Sequence, residues 1–323
     1  MRAAQISSLD GPAAVTVTDV AAPEPADGQV LIDVHAAGVS FPEVLQTRGR
    51  YQIKPDLPFV PGSEVAGVVV SAPDGSGLSV GDRVAAMSML GGFGEQVLAQ
   101  PDLVLPVPDA VSFAQAAALP LNYLTAHFAL VARGDIAPGE TVLVHGAAGG
   151  VGTASIQVAK AFGAGDVIAV ASTDAKGEYA VAAGADSYVL AEGFKDAVKE
   201  RTGGRGVDLV VDPVGGDRFT DSLRSLAEDG RLLVVGFTAG SIPEVKVNRL
   251  LLNNVSVVGV GWGAYVLKRP GYVRDQWDAL LPHVASGVVD PPIGATFALD
   301  DAVAALTEID ERRATGKVVL TVR

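Results

Sequence analysis

The stretch Thr141-Val-Leu-Val-His-Gly-Ala-Ala-Gly-Gly-Val-Gly152 has the residue types and spacing to hold a phosphate. A β-prone run ends at His145, a glycine-rich turn follows, and a helix is expected to start near Gly150. Unpaired N–H groups at such a start, with the positive end of the helix dipole, suit a pyrophosphate. Glycine is needed where a side chain would block the phosphate or the helix–strand contact. In a G-x-G-x-x-G pattern the first glycine would stand at position 147, where this chain has Ala147; Gly149 and Gly152 fit the second and third. The expected contacts are Ala148, Gly149, Gly150, Val151 and Gly152. A tight turn with no ligand is the plainer reading, and the βα alternation that follows weighs against it.

The next strand, Asp166-Val-Ile-Ala-Val170, runs into Ala171-Ser172-Thr173 without a carboxylate at its tip. A coenzyme with a free ribose 2′-OH usually meets an acidic residue there. Small hydroxyl residues leave room for a 2′-phosphate, and Lys176 can pair with it. The expectation is NADPH, held by Ser172, Thr173 and Lys176. Asp174 complicates it by offsetting Lys176, which is otherwise a solvated helix lysine.

The elements around this loop fall into two kinds. Before Pro108 the chain is β-rich: Val15–Val20, Val30–His35, Val65–Val70, a strand entered through Gly81–Val84, and Glu95–Ala99, separated by turns such as Asp27-Gly28. Ser112 caps an Ala-rich helix, Phe113–Leu119. From about residue 120 strands and helices alternate. Strands are expected at Thr141–His145, Val167–Val170, Val207–Val211, Arg231–Val235 and Val255–Val260. Helices are expected at Val151–Phe162, Lys176–Ala183, Phe194–Thr202 and Phe219–Ala227. Continuous Val/Ile/Leu strands between helices predict an α/β, doubly wound parallel sheet. The end carries helices at about Arg274–Ala285 and Asp301–Arg312 and strands near Ala295–Ala298 and Lys317–Val322. The chain is expected to leave a β-rich domain, build a nucleotide-type domain, and return.

Composition narrows the function classes. A length of 323 residues suits about two domains, and 49% hydrophobic residues supply a large core. A net charge of −13 without a basic run argues against nucleic acid or an anionic membrane as partner. The absence of cysteine removes disulfides, thiol nucleophiles and thiolate metal sites. No apolar run approaches the ~20 residues that span a bilayer. The start, Met-Arg-Ala-Ala-Gln-Ile-Ser, has no long apolar signal region, so a cytoplasmic protein is expected.

Several segments together resemble the zinc-free medium-chain dehydrogenase/reductases, within them the NADPH:quinone oxidoreductases of zeta-crystallin type. They are His145–Gly152; Arg48-Gly49-Arg50-Tyr51 with Leu57-Pro-Phe-Val-Pro-Gly-Ser-Glu64; Pro120–His127; Asp212-Pro-Val-Gly-Gly216; and Thr315–Leu320. The resemblance implies a GroES-like β-rich catalytic domain (1–122 and 261–323) and a Rossmann cofactor domain (123–260). It also implies a cleft between them and a homodimer, for which the strand Val255–Val260 offers an edge. It places Asn122 and Thr125 near the nicotinamide and Lys317 near the cofactor. Zinc-containing relatives carry a histidine before the glutamate of Pro-Gly-x-Glu, where this chain has Ser63, and use cysteines that it lacks. No metal site is expected; His35, His127, His145 and His283 are scattered, and His145 is read as structural.

Without a Lewis acid, a hydride can still reduce an acceptor already polarised by conjugation. Quinones qualify, and so do enones and 2-enoyl thioesters. The protein must position the acceptor and stabilise the oxyanion. Tyr51 is the candidate donor, its plainer reading being a rim residue that shapes the site. Ser40 stands where many relatives have asparagine, and is a candidate to replace it. Phe237, after the fifth strand of the cofactor domain, and Trp262 either flank the ligand or pack in the core. Arg48, Arg50 and Lys54 form a cationic patch that keeps an acyl-CoA substrate open. The expected function is metal-free NADPH:quinone reduction. The alternatives are an enone or 2-enoyl-thioester reductase and a non-catalytic NADPH-binding protein.

Overall fold

The structure is a computed structural model that describes residues 1–26 and 28–323. Asp27, half of the expected Asp27-Gly28 turn, lies outside the described residues. The chain divides into two compact units: Met1–Leu121 with Val273–Trp277 and Pro291–Arg323, and Asn122–Tyr272 with Asp278–Asp290.

The first unit opens with β1 (Arg2–Ile6) and β2 (Val15–Asp19), paired antiparallel. Then come β3 (Val30–Val39), helix α1 (Phe41–Gln46), β4 (Glu64–Ser71), β5 (Arg83–Met87), β6 (Gln96–Ala99) and β7 (Val104–Pro106). Helix α2 (Phe113–His127) starts where Ser112 and Gln115 exchange hydrogen bonds, as its cap sequence predicts. It runs past the expected Leu119 and through Pro120. The proline has no N–H to give to the helix ladder, and the N–H of the next residue, Leu121, is taken by Glu64.

The second unit follows β8 (Thr141–His145), α3 (Gly150–Ala161), β9 (Asp166–Ala171), α4 (Asp174–Ala182), β10 (Ser187–Leu190), α5 (Phe194–Arg201), β11 (Val207–Asp212), α6 (Phe219–Arg224), β12 (Leu226–Val234), α7 (Asn248–Asn253), β13 (Ser256–Gly259), α8 (Trp262–Val266) and α9 (Tyr272–Ala285). The strands pair all parallel in the order β10-β9-β8-β11-β12-β13. Numbered from β8 this is 3-2-1-4-5-6, a doubly wound sheet with its switch point between β8 and β11. Leu143, Ile168, Val210 and Leu232, from four adjacent strands, are fully buried in one cluster.

One expected helix is shorter. α6 stops at Arg224, and the carbonyl of the capping Ser225 accepts from the Val207 N–H at 2.9 Å instead of from a further helical turn. Leu226 then pairs with Val207, so Leu226 and Ala227 belong to β12. Segments 261–272 and 278–290, expected with the first domain, lie in the second unit. Phe128 packs on Tyr265 at 4.7 Å and Phe162 on His283 at 5.3 Å, which fastens them there.

The chain closes with β14 (Ile293–Ala298), α10 (Ala302–Asp310) and β15 (Lys317–Thr321) in the first unit. Its larger sheet runs β14-β15-β3-β4-β5-β7, with β6 also on β3. Val318 pairs with Val39, so the antiparallel register sets Lys317 beside Ser40. Ala37 pairs with Val65, which brings Glu64 across from Gly38.

Candidate active site

In the second unit, α3 is entered from Gly149, whose backbone is extended, and no side chain caps its first turn. The first-turn N–H groups of an uncapped helix are open to an anion. The turn is tight: a Cβ on Gly152 would lie 2.2 Å from the Gly146 carbonyl oxygen. Asn122 is buried against this turn, its Nδ2 standing 2.4 Å from where a Gly150 Cβ would be. Thr125, one helical turn further along α2, is also buried. The sequence therefore predicted a set that the fold does bring together in part: Asn122 with the Ala148–Gly152 turn.

At the tip of β9, Ser172 and Thr173 are exposed and Lys176 is half-buried. Thr173 caps α4, its hydroxyl accepting from the Lys176 N–H at 3.3 Å. Asp174 is turned to the neighbouring strand, where it accepts from the Tyr188 hydroxyl at 3.0 Å. Phe237 lies on the loop after β12 and is 38% exposed, which removes the core reading for it. Trp262 is buried and packs.

His145 and Asp212 end the adjacent strands β8 and β11 at the switch point, and both are buried. Asp212 accepts from the N–H groups of Val214 and Gly215 at 2.9 and 2.8 Å and so shapes the facing loop. His145 shares a 2.8 Å hydrogen bond between Nε2 and the Ser222 hydroxyl and meets the Phe194 ring edge-on. Burial holds its imidazole down to about 4, so it is neutral and structural as expected.

The first unit holds a buried polar cluster of a different kind. Glu43 accepts from the Ser63 hydroxyl at 2.6 Å, the Ser63 N–H at 3.1 Å and the Ser40 N–H at 2.9 Å. Glu64 accepts from the Leu121 N–H at 2.8 Å and forms an ion pair with Lys317. Lys317 also donates to the Ser40 hydroxyl at 2.6 Å. Gly38 makes room for this, since a Cβ there would lie 2.7 Å from Glu64. Burial pushes the Glu43 carboxyl up, opposed by the Ser63 hydrogen bond and the nearby Lys317 charge. Tyr51 is half-buried, and burial followed by the Glu43 charge pushes its phenol up, so it keeps its proton at neutral pH.

Lys317 is thus neither a surface lysine nor without a partner; it is committed to Glu64 and Ser40. Glu43 was missed as a site residue. Its signal was present in the Ser40…Glu43 spacing of a capping box, which also marks α1. The cationic patch shrinks: Arg48 is held by both carboxylate oxygens of Asp310, at 3.0 and 2.7 Å. Arg50 and Lys54 remain exposed, with Asp56 exposed on the same loop.

Comparison with known proteins places the chain. Residues 26–109 match the alcohol dehydrogenase GroES-like domain family and residues 150–286 the family described as zinc-binding dehydrogenase. The quinone oxidoreductase-like protein 2 of Rattus norvegicus is 42% identical over 326 residues, spanning 100% of this chain and 92% of that protein. This chain belongs to the zinc-free quinone oxidoreductases of the medium-chain dehydrogenase/reductase family. It is an oxidoreductase with a GroES-like domain and a Rossmann-type domain. A probable oxidoreductase from Mycobacterium abscessus is similar with a TM-score of 0.92 and 46% identity, covering 100% of this chain and 99% of that one. A mycobacterial protein solved in complex with NADPH is similar at 0.90 and 34% identity, with 100% of both chains covered.

The donors present do not fit the zinc in the second family's description. The chain has no cysteine. Ser63 stands before Glu64, and both carboxylates of the cluster are already taken by hydroxyl, N–H and ammonium donors. Among the described residues, no group of three or more acidic or histidine side chains is placed to hold a metal ion. None of the described helices is long and apolar enough to cross a membrane.

Proposed function

We propose that this protein reduces quinones with NADPH, by hydride transfer and without a metal ion. The observation that carries the reading is the uncapped, glycine-tight start of α3 at the switch point, with a carboxylate-free tip on β9. Ala148–Gly152 hold the pyrophosphate through backbone N–H groups. Ser172, Thr173 and Lys176 take the 2′-phosphate. Asn122, Thr125 and Phe237 flank the nicotinamide end. The bound coenzyme supplies the hydride. Tyr51, protonated at neutral pH, and the Ser40 hydroxyl donate hydrogen bonds to the acceptor oxygen as it gains negative charge.

A quinone is favoured over an acyl-CoA because Arg48 is neutralised by Asp310 and the loop that carries Arg50 and Lys54 also carries Asp56. The test follows NADPH consumption with 1,4-benzoquinone beside crotonyl-CoA. Turnover of the quinone supports the reading; turnover of the thioester alone replaces it with the enoyl reductase. Coenzyme binding without turnover of either leaves a non-catalytic binding protein. A homodimer is part of the same proposal: β13 is an edge strand, and the adjoining α7 leaves Leu251 and Leu252 76% and 75% exposed.

A further inference from the structure

The buried cluster around Ser40 has an asymmetry that the roles above do not use. Ser40 has one hydroxyl proton and two lone pairs. Lys317 has only donors, so its 2.6 Å contact fixes one lone pair of Ser40 as acceptor. The hydroxyl proton has a single neighbour within hydrogen-bond reach in the cluster, Glu64 Oε1 at 3.3 Å. That oxygen already receives the Lys317 ammonium at closer range, and Glu64 Oε2 receives the Leu121 N–H. The Ser40 proton is therefore poorly engaged inside the protein, while its oxygen is gripped by a cation. Such a hydroxyl is polarised and turned into a donor. Both are buried, Ser40 at 8% exposure and Lys317 at 3%, so the serine keeps slightly more of its surface open.

We propose that Lys317 is a positioning residue for quinone reduction: its ammonium, anchored by Glu64, holds Ser40 so that the hydroxyl donates to the acceptor oxygen. The proposal rests on the quinone-reductase reading and gives Lys317 a task other than coenzyme binding. The cation acts at one remove. It is fixed by β15 opposite the end of β3, and it strengthens a hydrogen bond that Ser40 makes. In the same role Glu64 keeps the ammonium from being a lone buried charge.

The test compares Lys317→Met, Lys317→Arg, Ser40→Ala and the Lys317→Met/Ser40→Ala double variant with the parent protein. It reads kcat and KM with 1,4-benzoquinone and the Kd of NADPH by calorimetry. Ser40→Ala and Lys317→Met are each expected to lower kcat by about 100-fold, as loss of an oxyanion donor does, with NADPH Kd unchanged. The double variant is expected to be no worse than either single one, because the two act through one hydrogen bond. Lys317→Arg is expected to recover part of kcat by keeping the charge. Should Lys317→Met fail to fold, a parent-like kcat in Ser40→Ala, or Lys317→Arg as slow as Ser40→Ala, overturns the proposal. So do additive losses in the double variant. A Lys317→Met variant that loses NADPH affinity with kcat intact makes Lys317 a coenzyme ligand and overturns it too. A parent protein inert toward quinones removes the underlying reading, an outcome visible before any variant is made.

Discussion

The position a Cβ would take on Gly152 is 2.2 Å from the carbonyl oxygen of Gly146. The two glycines close the turn between β8 and α3, and no side chain fits between them. Gly152→Ala must push the helix start away from the strand end. The expected result is at least a tenfold weaker NADPH association by calorimetry, with the fold retained by circular dichroism. An unchanged Kd removes this turn from the coenzyme site.

Coenzyme choice rests on the tip of β9. Lys176→Ala is expected to weaken NADPH by about tenfold while NADH changes little, the loss of one charge-assisted contact to a phosphate. Ser172→Asp places there the carboxylate that a free ribose prefers and is expected to shift preference toward NADH. Equal affinity of the parent protein for both coenzymes defeats the assignment.

Tyr51→Phe removes the phenol hydroxyl and keeps the ring. The expected outcome is a large fall in kcat with benzoquinone and an unaltered NADPH Kd. Full turnover by Tyr51→Phe assigns the tyrosine to the shape of the site alone.

Acid sensitivity follows from two histidines held neutral by burial. His145 and His127 are both lowered to about 4. In the unfolded chain each binds a proton near pH 6.5, while the folded protein does not. Their contribution to stability is whole above pH 6.5 and is lost as pH falls toward about 4. Urea unfolding at pH 7 and pH 4.5 is expected to show the loss, and His145→Gln is expected to flatten it. A pH-independent midpoint across that window contradicts the assignment.

Leu251→Asp with Leu252→Asp puts charge on the apolar face beside the β13 edge. The parent protein is expected to sediment as a dimer and the double variant as a monomer, with NADPH affinity preserved. A monomeric parent rejects the dimer.

The parallel sheet was legible because its strands are buried on both sides and read as unbroken Val/Ile/Leu runs between helices. β10 escaped notice because it is a four-residue, half-buried edge, where burial imposes no such run. α7 and α8 are short and carry no apolar period. The phosphate turn was legible because one contiguous segment makes it. The Ser40, Glu43, Ser63, Glu64 and Lys317 cluster was not, since three strands and a helix assemble it from separate parts of the chain. Local spacing gave only the Ser40–Glu43 cap, and the Lys317–Glu64 pair depends on the β15–β3 register.

Lys317 is separated from Ser40 by 277 residues, and β15 reaches β3 only after the whole second unit has been made. Synthesis runs from the N-terminus and domains fold as they emerge. A nascent chain can complete the parallel sheet while the GroES-like domain still carries Glu64 without its ammonium. Strand β15, which emerges after the whole second unit, is therefore the one that finishes the interior of the first domain around Glu64, and termination shortly before residue 317 leaves that carboxylate with no cation to answer it.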